Sequence, residues 1–184
     1  IEFARKLQAG FAHGGEHAQA WADALPMIRA AYPGLDLKVQ MGLVPLGPDS
    51  DSHLWEFAHL QSGEPAARGP DGKWLISEKT GLVLVLIPGG AFYMGAQSKD
   101  ASARNYEPMA LNNEFPVHEQ IVVAFFLSKF EMTQAQWLRF VGTVPSAYGW
   151  YPRDPVNFVS WDECTTATRR LGLALPHEIE WEYA

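Results

Sequence analysis

An unbroken apolar run of six residues, Leu82 to Ile87, is framed by Thr80-Gly81 on one side and Pro88-Gly89-Gly90 on the other. A run this short, rich in Val and Leu and bounded by turn residues, reads as a strand covered on both faces. No apolar run in the chain approaches the roughly 20 residues of a bilayer-spanning helix. Turn chemistry recurs upstream at Ser62-Gly63-Glu64-Pro65 and Gly69-Pro70-Asp71-Gly72, which read as hairpin-like connections between short extended segments. A second strand is expected over Ala91 to Gly95. The polar, irregular stretch from Gln97 to Asn113 reads as a long surface loop.

Helices are expected at both ends. Residues 16 to 32 place Trp21, Leu25, Ile28 and Tyr32 at helical spacing. Pro26 falls inside that pattern and fits best as the first residue of a second short helix. After Tyr32-Pro33-Gly34, the alternation of Leu35, Leu37, Val39 and Met41 predicts a strand over 35–46, closed by Gly47-Pro48-Asp49. In the last third, Thr133-Gln134-Ala135-Gln136 and Ser160-Trp161-Asp162-Glu163 are capping boxes, each opening a helix. Trp137, Phe140 and Val141 supply the buried face of the first. Cys164, Ala167 and Leu171 supply that of the second. Gly142 stops the first, and Gly172 is the expected left-handed cap of the second. A third helix is expected from Pro176, with Glu178 and Glu180 near its positive end.

Composition narrows the class. Of 184 residues, 47% are hydrophobic and 19% charged, which is ordinary for a globular domain that buries a core. The formal charge is −7, and no basic cluster exceeds the pair Arg169-Arg170, so nucleic acid is not an expected partner. A membrane is not expected either. The one cysteine, Cys164, leaves no internal disulfide and no two-cysteine motif in this chain. With no secretory-leader pattern at its start, a cytoplasmic location is favoured. The chain opens at Ile1 rather than Met and reaches Ala184 with no helix-stop signal, so it reads as a fragment.

The constellations that could carry chemistry are weak one by one. His13 and His17 are four apart, but Gly14 and Gly15 oppose a helix between them and no further ligand follows, so a metal site is not expected there. His177-Glu178 opens like a zinc-protease helix, yet Trp181 occupies the place of the second histidine. His118 reads as a satisfied core histidine before it reads as a polar residue near a site. No Gly-rich loop leads to Lys-Ser or Lys-Thr, so no phosphate cradle is expected. Cys164 lies on the buried stripe of its helix and reads as packing.

Five strings in order carry a resemblance. Val83 to Gly95 (VLVLIPGGAFYMG) is similar to the opening signature of the formylglycine-generating-enzyme, or sulfatase-modifying-factor, family. Glu114 to Glu119 (EFPVHE) resembles that family's Glu-x-Pro-x-His element. Phe125 to Thr133 (FFLSKFEMT) resembles its strand-to-helix junction, Pro155 to Trp161 (PVNFVSW) its "PVxxVSW" element, and Leu175 to Ala184 (LPHEIEWEYA) its "LPTEAEWEYA" element. Two positions depart from the pattern: Ala174 stands where arginine is usual, and His177 where a capping threonine is usual.

The resemblance implies an α+β fold, a C-type-lectin-like variant of the formylglycine-generating-enzyme fold, incomplete at its carboxy terminus. Residues 54–184 would be the amino-terminal part of that domain. Residues 1–53 would be a helical extension or interdomain linker, similar to those following serine/threonine kinase domains in some bacterial proteins, so an upstream kinase is a possible partner. The full form would be a copper-dependent oxidoreductase that converts a peptidyl cysteine to formylglycine. The family's cysteine pair, copper and calcium belong to the half beyond Ala184. No catalytic, cofactor-binding or metal-ligating residue is therefore assigned in this chain, which alone is expected to be inactive. The alternative is a non-catalytic module binding a protein, peptide or other ligand, since fold does not fix function. An iron-dependent sulfoxide synthase ranks behind both, because residues 1–53 lack the histidine-rich metal domain that reading requires.

Overall fold

The computed structural model describes residues 2–145 and 149–184. It is a mixed α and β chain with antiparallel sheets, and its contacts divide it into two units: Ile1–Leu86 with Phe126–Leu175, and Ile87–Phe125 with Pro176–Ala184.

The first unit opens with helices α1 (Glu2–Phe11) and α2 (Glu16–Ala31). Strands β1 (Leu43–Pro48) and β2 (Trp55–His59) form an antiparallel hairpin, followed by the short pair β3 (Ala67–Arg68) and β4 (Trp74–Leu75). Strands β5 (Val83–Ile87) and β8 (Phe125–Ser128) complete a four-stranded sheet in the order β1-β2-β5-β8. Helices α3 (Gln134–Val141) and α4 (Trp161–Arg170) follow. Trp21, Ala24 and Ile28, spaced along one stripe of α2, pack with Phe57, Leu84 and Leu86 of the sheet. Trp21 also donates its indole N–H to the Leu43 carbonyl at 2.7 Å, so this fully buried ring has its donor paired.

The second unit contains β6 (Gly90–Met94) paired antiparallel with β7 (His118–Val122), and α5 (Glu178–Tyr183), which packs on both strands. The run from Gln97 to Asn113 holds no α-helix or strand, only a short 3-10 turn at Asn112–Glu114 and an isolated bridge between Gln97 and Tyr106. Its shape comes from side chains. The Asn105 amide donates to the carbonyls of Tyr93 and Gly95, and the Gln97 side chain accepts from the backbone of Lys99 and Asp100.

Several sequence expectations hold locally. β5 is buried on both faces, as an apolar run between turns requires. Both capping boxes form: Thr133 Oγ1 accepts from Gln136 N at 3.2 Å while Gln136 Oε1 accepts from Thr133 N at 2.9 Å. Ser160 and Glu163 repeat the exchange. Gly142 is left-handed at the end of α3, and Gly172 is left-handed just past α4.

Other expectations need correction. Pro26 does not start a second helix; α2 runs through it, because burying Trp21, Ala24 and Ile28 on one continuous stripe outweighs one missing backbone hydrogen bond. The strand expected over 35–46 is found instead at Leu43–Pro48, since Gly42 adopts φ +94° and redirects the chain, leaving Val39 and Met41 exposed. The last helix begins at Glu178 with His177 as its N-cap, not at Pro176. Its start is held by Glu180, whose carboxylate accepts the His177 N–H at 2.8 Å. The tryptophans divide: Trp21, Trp55 and Trp137 are core, whereas Trp161 and Trp181 are exposed.

Candidate functional site

The densest charged cluster lies on the sheet of the first unit. Glu56 sits in β2 between Trp55 and Phe57 and is fully buried. A carboxylate in that position must be paired and hydrogen-bonded to remain charged. Lys129, just after β8, donates to one carboxylate oxygen; Arg68 of β3 and the Trp74 indole N–H of β4 donate to the other. Lys129 also donates to Asp49 at 2.7 Å. The remaining oxygen of Asp49 accepts from the backbone N–H groups of Asp51 and Ser52. Arg68 stacks over the Trp74 ring at 4.0 Å.

Two carboxylates and two cations make this network neutral. Burial pulls Lys129 toward losing its proton, but its bonds to Asp49 and Glu56 and their charges more than offset that, so it stays firmly cationic. The bond from Lys129, helped by the Ser52 N–H, holds Asp49 far below the usual carboxylate range. Each partner already has its counterpart, so the network can hold strands together but offers no free acid, base or nucleophile.

A cavity of about 860 Å³ opens beside it, lined by Trp74, Ser128, Lys129, Glu131 and Arg153 among others. A second, of about 810 Å³, is lined by Leu60, Glu64, Leu138, Arg139 and Trp150. Arg139 is spent on the backbone there, donating to the carbonyls of Ser62, Glu78 and Thr80.

The residues weighed from the sequence are not gathered into a site. His13 lies in the turn between α1 and α2, while His17 is within α2 against the Phe11 ring. His118 is not a core histidine: it is exposed at the start of β7, its Nδ1 2.7 Å from the Pro116 carbonyl. His177 and Ala174 are exposed. Cys164 is half-buried on α4; burial, and then the charge of Glu163, push its thiol up, away from the thiolate form that nucleophiles and metal ligands require. Among the described residues, no three His, Cys, Asp or Glu side chains come together as a metal site.

The family strings fix backbone geometry. A Cβ on Gly89 would lie 2.5 Å from the Val122 carbonyl oxygen, and one on Gly90 would lie 2.5 Å from Tyr183 Oη. Glu182 accepts the Gly95 N–H at 2.6 Å, and Tyr183 packs edge-on against Phe92 at 5.2 Å. The WEY segment thus braces the Pro-Gly-Gly strand within the second unit. The Glu56 cluster escaped sequence reasoning, although a charged residue flanked by Trp55 and Phe57 was the signal that a buried partner had to exist.

A family model described as a sulfatase-modifying factor enzyme 1-like domain matches residues 77–184. Two curated relatives are hercynine oxygenases. That of Mycolicibacterium smegmatis is 26% identical over 136 residues, covering 54% of this chain and 30% of the relative. That of Mycolicibacterium thermoresistibile is 28% identical over 172 residues, covering 73% of this chain and 37% of the relative. The chain therefore spans about a third of the length of these relatives.

Proposed function

Because this chain belongs to the sulfatase-modifying factor enzyme 1-like domain family, we propose that it is scaffold within an oxidative enzyme, an oxygenase acting on a small molecule of the hercynine type. The observation that carries the substrate class is that both relatives bear the name hercynine oxygenase. This reading sets oxidation of a small molecule ahead of oxidation of a peptidyl cysteine to formylglycine, which the sequence analysis placed first. The family description keeps the formylglycine reading as the second candidate. We read the fold as the C-type-lectin-like variant, in which glycine turns and capped helices take the place of long regular elements.

In either reaction this chain's part is structural. The Glu56 network closes the sheet, and the WEY segment braces the Pro-Gly-Gly strand. Among the described residues the donors are dispersed or already paired, and on this reading the metal is held by residues outside them. The deciding experiment supplies the protein at its natural length with oxygen and either of two substrates. One is hercynine with iron(II); the other is a cysteine peptide with copper(I). An oxygenated hercynine product by mass spectrometry is expected. An aldehyde-bearing peptide would move the assignment to formylglycine generation. Turnover of neither would leave a binding module.

A further inference from the structure

The family-matched stretch begins at residue 77, yet the sheet it belongs to does not. β2 pairs with β5 in the register Glu56↔Val85, Phe57↔Leu84 and Ala58↔Val83, and β1 extends the sheet by one more strand. Half of that sheet thus precedes the matched stretch. The core crosses the same line: Trp21, Ile28 and Phe57 from before it are in one cluster with Leu84, Leu86 and Leu171 from within it. Backbone groups are also shared. Ser62 Oγ, itself buried, accepts the Leu82 N–H at 2.7 Å, and the Glu64 and Gly81 backbones bond to their opposite numbers across the connection. Finally, the fully buried Glu56 carboxylate is gripped by Lys129 from the family's FFLSKFEMT string.

We propose that residues 16–75 are a core-completing part of the family domain rather than a spacer in front of it, and that the Glu56–Lys129 pair is the clasp that holds them in place. A spacer could move away and leave Leu84 and Leu86 covered. Here the same movement would uncover those side chains, strip β5 of its β2 partner, and leave Lys129 without Asp49 and Glu56, both of its counter-ions. Removing one member of a buried pair costs far more than removing both, since the survivor keeps its desolvation cost and loses its compensation.

The test uses the protein at its natural length, with a protease recognition sequence inserted between the exposed Pro70 and Asp71 in the β3–β4 turn. After cleavage, the two pieces are expected to stay together through native gel filtration; separation of the amino-terminal piece would overturn the proposal. In the uncut protein, Lys129→Met is expected to lower the melting midpoint by roughly ten degrees. Lys38→Met, at an exposed ion pair with Asp36, is expected to leave it unchanged. Glu56→Gln combined with Lys129→Met should recover at least half of the loss. That comparison decides even when Lys129→Met alone does not fold. A double variant no more stable than Lys129→Met, or a Lys129→Met protein indistinguishable from Lys38→Met, would remove the clasp.

Discussion

Single residues here are constrained by what surrounds them more than by their own preferences, and the glycines show it best. Gly89 is needed because backbone atoms of Val122, Val123 and Ala124 would lie within 3 Å of any Cβ. Gly142 has open space around it but a φ of +85°, so an alanine there would meet only conformational strain. Gly89→Ala is therefore expected to cost about 1–3 kcal/mol or more and Gly142→Ala about 1 kcal/mol, as read by urea denaturation. His59 carries the clearest pH dependence. It is buried, its Nδ1 has no hydrogen-bond partner, and burial holds its pKa below the usual value of 6.5 against a weaker upward pull from the Leu171 backbone. The unfolded chain therefore takes up a proton that the folded chain refuses as pH falls below 6.5. Stability should drop over that window. In His59→Gln the urea midpoint should fall less between pH 7 and pH 5 than in the unsubstituted protein.

Among the elements, α2 is where local rule and tertiary demand conflict. A proline inside a helix removes one hydrogen bond and crowds the preceding turn, yet α2 keeps Pro26 because its stripe of Trp21, Ala24 and Ile28 packs on the sheet as one piece. Pro26→Ala is expected to restore the bond to the Ala22 carbonyl and raise stability by about 1–3 kcal/mol, measured as a higher urea midpoint with an unchanged slope. A lower midpoint would mean that the ring is itself packed in place. The capped helices present no such conflict. Thr133 and Ser160 satisfy orphan backbone donors with their own side chains, so the starts of α3 and α4 were legible in four residues each. By contrast, β1 was misplaced because alternation at Leu35, Leu37, Val39 and Met41 does not reveal that Gly42 turns the chain before the strand begins.

At the scale of the whole molecule, the reactive side chains among the described residues are dispersed or already paired. Its one thiol is held in the neutral form, its histidines are dispersed, and its buried carboxylate is fully paired. Incubated alone with copper(I), oxygen and a cysteine-containing peptide, the 184-residue chain is expected to give no aldehyde product. Turnover detected by aldehyde-reactive labelling would mean that a reactive group has been overlooked among these residues.

The sequence by itself determined the family and the local pieces. Turns, caps and the doubly covered strand β5 each depend on interactions within a few residues, and the five ordered strings lie in one continuous chain. Only the tertiary structure decided that α2 continues through Pro26, and that Glu56 meets Lys129, 73 positions away. Only it decided that β5 pairs with β2 and that β1 extends the same sheet. Burial and charge pairing couple residues distant in the chain, and no local periodicity records which distant residue completes the pair.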